Sequence, residues 1–363
     1  MQLQRLMDVM EEIAPTRFAE SWDNVGLLAG DPAQEVGDVL LAIDYTREVA
    51  DEGRRLDCRT VIAYHPPIFH ALKRLVAGST VFDAIRRGVA IYSPHTALDV
   101  ADGGTNDVLC DVLGLEDRSP LKFAQSKATQ CKLATFVPES AVQRVSEALF
   151  SAGAGRIGDY SSCSFRSPGT GTFFGEDGTH PAVGESGRLE QTPEVRLETV
   201  VALDRVRAVV SALKKAHPYE EPAFDLNELS APPEGRGIGR VGTFSKPAER
   251  GALIAKLKAA LSLDHLLIAG PESGTVKKAA VCAGACGDLL DEAISQQAEF
   301  YVTGEMRHHE AIKAAAAGLT VVCTLHSNSE RVALKRLKSR LEEQLPGPAF
   351  HLSRADRDPF SIR

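Results

Sequence analysis

Residues 39–67 read VLLAIDYTREVADEGRRLDCRTVIAYHPP. Val39–Asp44 is a short apolar run, which predicts a buried strand. Residues 46–56 then carry a helical pattern, and Thr60–Tyr64 is a second apolar run that stops at His65-Pro66-Pro67. A helix over 79–88, a strand over Ala90–Tyr92 and the turn Ser93-Pro94-His95 follow. Strands alternating with helices predict an α/β sheet, largely parallel. Upstream, apolar positions 3, 6, 7, 9, 10 and 13 form a helical stripe that ends before Pro15.

The same grammar returns near the other end. Lys278–Cys282, Phe300–Thr303 and Leu319–Thr324 read as strands, with helices over 288–297, 307–317 and 327–344. The middle differs. Lys132–Pro138, 195–203 and 223–228 read as strands and 139–152 and 204–216 as helices, while 153–190 is rich in Gly, Ser and Pro and reads as loop. This predicts a small α+β domain over 125–237, inserted in an α/β domain split between 1–124 and 238–363. Pro232-Pro233-Glu234-Gly235 would be its exit linker. A chain of 363 residues is long enough for two such cores.

The formal net charge of -8 comes with no basic cluster, which argues against nucleic acid as a partner. No apolar run is long enough for a membrane span. The first fifteen residues contain acidic groups and no apolar core, so they do not read as a signal peptide. The seven cysteines are odd in number and irregularly spaced, which predicts reduced thiols and a cytoplasmic protein. Cys282 and Cys286 read as core and turn residues.

In α/β sheets, functional groups gather past the carboxyl ends of the strands. His65, His95 and His326 all fall there. His326 and Glu330 are four apart at a helix start, one turn apart on one face. His95 and Asp99 have the same spacing, in a segment readable as helix or loop. A lone strand-end histidine is more often a hydrogen-bonded or capping residue than a ligand. Three of them, two with a carboxylate partner, point to a metal site. Asn106 or Asp107 would cap the helix after Gly103-Gly104. His308 and His309 are adjacent, so their side chains diverge by about 100° on a helix and would not share an ion; one of them reads as a donor to the site or a proton carrier, and equally as a capping or packing residue. The Gly284–Gly287 loop after a strand would hold an anion, although it lacks a P-loop ending.

Six strings carry a wider resemblance: SWDNVGLLAGD (21–31), LLAIDYT (40–46), YHPPIFHALKRL (64–75), IYSPHTALDVADGGTNDVL (91–109), YVTGEMRHHEA (301–311) and LHSNSERVAL (325–334). They resemble the Nif-three-like family, widely labelled GTP cyclohydrolase I type 2 homologs. HPYEEPAFD (217–225) looks like the ferredoxin-like, signal-protein-like insert of its longer bacterial members. The resemblance implies a dinuclear centre of two divalent ions (Zn, Mn, Fe or Mg) in a homohexameric ring. It places metal ligands on His65, Asp99, His326 and Glu330, with His95 lining or joining the site and Glu330 bridging. Many members have two histidines where this chain has Tyr64-His65, which implies unequal metal affinities, with the His65/Asp99/Glu330 ion the tighter.

Two metals sharing a carboxylate suit hydrolysis. The family label points to a small-molecule substrate, GTP, whose purine ring would be opened with release of formate. His308 or His309 would then act as catalytic proton carriers. Hydrolysis of another nucleotide, amide or phosphoester is the second reading. A non-catalytic metal-binding or regulatory ring is the third.

Overall fold

A computed structural model describes residues 1–124, 128–230 and 235–361. The chain forms two compact units, Met1–Ala124 with Glu234–Arg363, and Gln125–Pro233. Of the expected exit linker, Pro232-Pro233-Glu234 lies outside the described residues. No described helix is long and apolar enough to cross a membrane.

The larger unit is α/β, but its strands form two main sheets where the alternation predicts one. The first runs in the order Gly26–Ala29, Ala90–Ser93, Thr60–Ala63, Val39–Ala42, Phe350–Leu352. Only Gly26–Ala29 is antiparallel to its neighbour. The second runs Leu267–Ala269, Thr320–Cys323, Phe300–Glu305, Thr275–Ala285, Arg240–Glu249, Glu116–Ser119. Its three parallel strands lie at the centre, with antiparallel strands at both sides. The central parallel strands read as unbroken apolar runs because both faces are covered. Val39–Ala42, Thr60–Ala63 and Thr320–Cys323 are buried at every position.

Helix Leu3–Ile13 buries Leu3, Leu6, Val9, Met10 and Ile13 on the first sheet, as its stripe predicts. Helix His326–Gln344 packs Leu334, Leu337 and Leu341 into that same core. Its Val332 leans on the core of the second sheet. Each buried leucine contributes about 1.5–3 kcal/mol, so this helix is firmly seated and its first turn is a fixed platform.

Asn106 and Asp107 lie inside helix Thr105–Leu113, whose cap is Gly104, so neither caps it. Asp107 instead accepts from the Gly103 N–H (2.7 Å) and pairs with the buried Arg240 (2.9 Å). All seven cysteines are free, and all but Cys163 are buried.

The smaller unit is an antiparallel sheet in the order Phe224–Glu228, Gln130–Val137, Leu189–Ala202, Ser164–Phe174. Helices Val142–Ser151 and Val206–Ala216 supply Val145, Leu149, Val209 and Leu213 to its core. The expected loop over 153–190 holds the eleven-residue strand Ser164–Phe174. Its Gly, Ser and Pro content misled because this is an edge strand. Proline such as Pro168 is tolerated on an edge strand, and pairing to Leu189–Ala202 along its length sets the conformation.

Candidate metal centre

Three parallel strands deliver three imidazoles to one place. His65 follows strand Thr60–Ala63, His95 opens helix His95–Val100 after Ala90–Ser93, and His326 opens helix His326–Gln344 after Thr320–Cys323. The first two strands belong to one sheet and the third to the other. The His65 ring centroid lies 5.4 Å from His95 and 5.3 Å from His326.

Each ring is held by a carboxylate at Nδ1. Asp44 lies 2.9 Å from His65, Asp23 2.7 Å from His95 and Glu305 2.7 Å from His326. A carboxylate on Nδ1 fixes the tautomer, orients the ring and leaves Nε2 for a cation. Asp23 is in turn held by the Thr96 N–H (3.2 Å) and the Asn24 N–H (2.7 Å). The sequence reading missed these carboxylates. Asp44 and Glu305 close apolar strands just as the histidines do, so the strand-end rule would have found both.

Glu330 fills the middle. It is buried one turn along the helix from His326, and its two oxygens face two different rings. Oε2 lies 3.1 Å from His65 Nε2 and Oε1 3.4 Å from His326 Nε2. His65 Nε2 and Glu330 Oε2 are both buried, and neither makes a hydrogen bond of acceptable angle. Orphaned buried polar atoms are rare because each costs about 1–3 kcal/mol. The ligand atoms of His65, His326 and Glu330 all lie within 4.8 Å of one another. Two imidazoles and a carboxylate, with their free atoms converging, fit a divalent cation.

Asp99 is not in that group. Its carboxylate accepts from the Tyr64 hydroxyl, which also lies 3.1 Å from Thr105 Oγ1. Burial and the nearby negative charge of Glu330 push Asp99 up to about 6. Tyr64 is fully buried, and burial with the Asp99 and Glu330 charges holds it far above the usual phenol range. Without metal it is a neutral donor to Asp99, not a phenolate.

The backbone around the site is strained. Leu325 has φ 68 and His95 φ 28, both unusual for non-glycine residues. Such positions cost about 1–3 kcal/mol each, comparable to one buried leucine of helix His326–Gln344. Asn106 ties the two sides together by accepting from the Ala283 N–H (2.9 Å) and donating to the Asp99 carbonyl (3.0 Å).

Two expectations fall elsewhere. His308 and His309 are exposed at the start of helix His308–Ala316, with ring centroids 5.3 Å apart. Among the described residues neither makes a hydrogen bond to the cluster. The Gly284–Gly287 loop does not suit a phosphate, because the Glu310 carboxylate sits where a Cβ on Gly287 would fall. The helix after it, Leu290–Ser295, is only six residues long.

In the metal-free protein, burial disfavours a charged His65, but Asp44 and Glu330 outweigh it and raise the ring to about 10. A cation bound at Nε2 must therefore displace a proton at neutral pH. We expect proton release on metal loading, and affinity that rises about tenfold per pH unit between roughly pH 7 and 9, levelling near the His65 pKa. Calorimetric titrations in buffers of different ionisation enthalpy read this directly; a pH-independent affinity would contradict it.

The family described as Duf34/NIF3 (NGG1p interacting factor 3) matches residues 1–359. A Bacillus subtilis protein named GTP cyclohydrolase 1 type 2 homolog is 35% identical, over 99% of this chain and 98% of its own. A Mycobacterium tuberculosis protein of the same name is 39% identical, over 84% of this chain and 82% of its own. Among solved structures, a Bacillus cereus protein related to NIF3 is 34% identical with a TM-score of 0.65, covering 100% of this chain and 99% of its own.

Proposed function

This chain belongs to the Duf34/NIF3 family, and from that premise we propose that it is a metal-dependent hydrolase with its cation held by His65, His326 and Glu330. The observation that carries this reading is the pair of orphaned atoms, His65 Nε2 and Glu330 Oε2, facing each other 3.1 Å apart. A divalent ion held there would supply Lewis-acid chemistry and lower the pKa of a water beside the substrate.

The chain's own residues do the rest. Asp44 and Glu305 hold the ligand rings with Nε2 outward. His95, oriented by Asp23, stands one ring away from His65 and is the group we assign to move a proton. Among the described residues His308 and His309 make no hydrogen bond to the cluster, so the proton role expected of them passes to His95 in this proposal. A second ion would be held by Glu330, His95 and Asp99, and His95 moves the proton only while that position is empty. Asp99 is already engaged by Tyr64, so the second position is the weaker. The tighter ion is thus assigned to His65/His326/Glu330, in place of the His65/Asp99/Glu330 set the family resemblance implies. Titrating metal-free protein with Zn(II) or Mn(II), with bound metal measured per chain, should give one tight ion; two equally tight ions would overturn this ordering.

The relatives' names make GTP the first substrate to test. One water would add at C8 and open the five-membered ring, and a second would hydrolyse the resulting formamide to formate. Metal-loaded protein incubated with GTP should release formate as the purine absorbance falls. Turnover only on another nucleotide, amide or phosphoester would keep the hydrolase class and replace the substrate. No turnover on such a panel, with tight binding of a partner, would favour a regulatory ring. The homohexamer belongs to the same proposal and is read by light scattering.

A further inference from the structure

Trp22 is the single tryptophan of the chain, and its indole is 58% exposed. Leaving so large an apolar ring in water forgoes a substantial burial gain. The segment around it is nevertheless tightly held. The side chain of Asp23 is fully buried on His95 and Thr96. Asn24 Nδ2 donates to the Ile68 carbonyl (2.5 Å), which ties this segment to the one carrying Phe69. Phe69 is also exposed, and its centroid lies 6.0 Å from that of Trp22 at an interplanar angle of 51°. Two rings facing solvent thus stand on anchored stretches of backbone.

Their position gives them meaning. Trp22 meets the His95 ring edge-on, with centroids 6.0 Å apart at 74°. From there the rings continue through His95 and His65 to His326 in steps of 5.4 and 5.3 Å. A line of rings runs from solvent to the candidate ligands. Trp22 and Phe69 touch each other, so a third ring cannot slide between them. The exposed part of the indole is the surface left for stacking, beside Phe69.

We propose that Trp22 and Phe69 are the binding platform for a planar heteroaromatic ring, and that the substrate of the metal centre carries such a ring. The proposal rests on the metal-hydrolase reading and narrows it. A purely aliphatic amide or a simple phosphoester has no use for a rigid aromatic face next to His95. A nucleobase does, because every base has a π-face to stack and sequence-tolerant stacking needs no hydrogen-bond partners. The exposed Leu72 and Leu75 lie further along the same loop. A second copy of the chain is the competing occupant, and the test below separates it.

The emission of Trp22 reports this spot alone. Metal-loaded and metal-free protein would each be titrated with guanosine, adenosine and cytidine, with ribose 5-phosphate as the non-aromatic control. Saturable quenching by the nucleosides, with ribose 5-phosphate silent, is expected. In calorimetry, Trp22→Ala should weaken nucleoside binding about tenfold or more, Trp22→Phe should restore most of it, and metal bound per chain should stay unchanged in both. Equal response to ribose 5-phosphate, or no response to any nucleoside, overturns the platform. A drop in molar mass by light scattering in Trp22→Ala would overturn it too, assigning the face to a chain–chain contact. If the protein binds no metal yet nucleosides still quench Trp22, the hydrolase reading fails and the platform stands.

Discussion

Glu330→Gln should empty the metal centre. The substitution keeps the size and shape of the side chain and removes its charge. Oε1 and Oε2 lie 3.4 Å and 3.1 Å from the Nε2 atoms of His326 and His65, so this one carboxylate serves both imidazoles. Its loss should lower cation affinity at neutral pH by more than about 100-fold, because partners that only orient a ligand already contribute 10–100-fold. Asp44→Asn, which touches His65 from behind, should fall within that smaller range. Thermal melting gives an independent readout. A ligand at 100 times its Kd stabilises the folded state by about 2.7 kcal/mol, so metal should raise the melting temperature of the wild type and leave Glu330→Gln unmoved. Any hydrolytic activity should vanish with the metal. Wild-type affinity in Glu330→Gln would mean that the ligand set lies elsewhere.

Two glycines should separate fold from site. Gly284 has φ +75, and a Cβ there would sit 3.0 Å from Glu330 Oε1 and 3.5 Å from His326 Nε2. Gly304, on the neighbouring strand, would place its Cβ 2.6 Å from the Gly284 carbonyl oxygen and 3.0 Å from the Cα of His326. The neighbours of Gly284 are side-chain ends, which can shift, but they are the metal ligands. Two of the three neighbours of Gly304 are backbone, which cannot give way. Gly284→Ala should therefore cost about 1–2 kcal/mol for the left-handed backbone and lower metal affinity at least tenfold. Gly304→Ala should cost about 3 kcal/mol of stability through overpacking. Denaturant unfolding without metal, set beside metal titration of the folded variants, would show whether the two rank in opposite order. Parallel losses in both measurements would show that the site and the strand ends are not separable in this way.

Much of this was legible from local pattern. The stripe of Leu3–Ile13 is legible because a period of 3.6 residues records which face meets a core. The buried strands Val39–Ala42, Thr60–Ala63 and Thr320–Cys323 were read because central parallel strands are apolar on both faces. The spacing of His326 and Glu330 was read because a helix returns to the same face after one turn. Strand Ser164–Phe174 was not legible: its composition is that of a loop, and only its pairing with Leu189–Ala202 makes it extended. Asp44 and Glu305 are legible by the same strand-end rule as the histidines, whereas Asp23 has no such signal and only its bonds to His95 and Thr96 reveal it.

The sequence by itself determined that the chain is α/β, that His65, His95 and His326 stand at strand ends, that His326 and Glu330 share a face, and which family it resembles. Tertiary structure decided that the strands form two sheets, that three rings from both sheets meet, and that Asp99 bonds Tyr64 and lies outside the His65/His326/Glu330 group. The reason is range. Periodicity is a property of neighbouring residues, whereas the pairing of Val39 with Phe350 joins the two ends of the chain, and no local pattern records which distant face will complete a site.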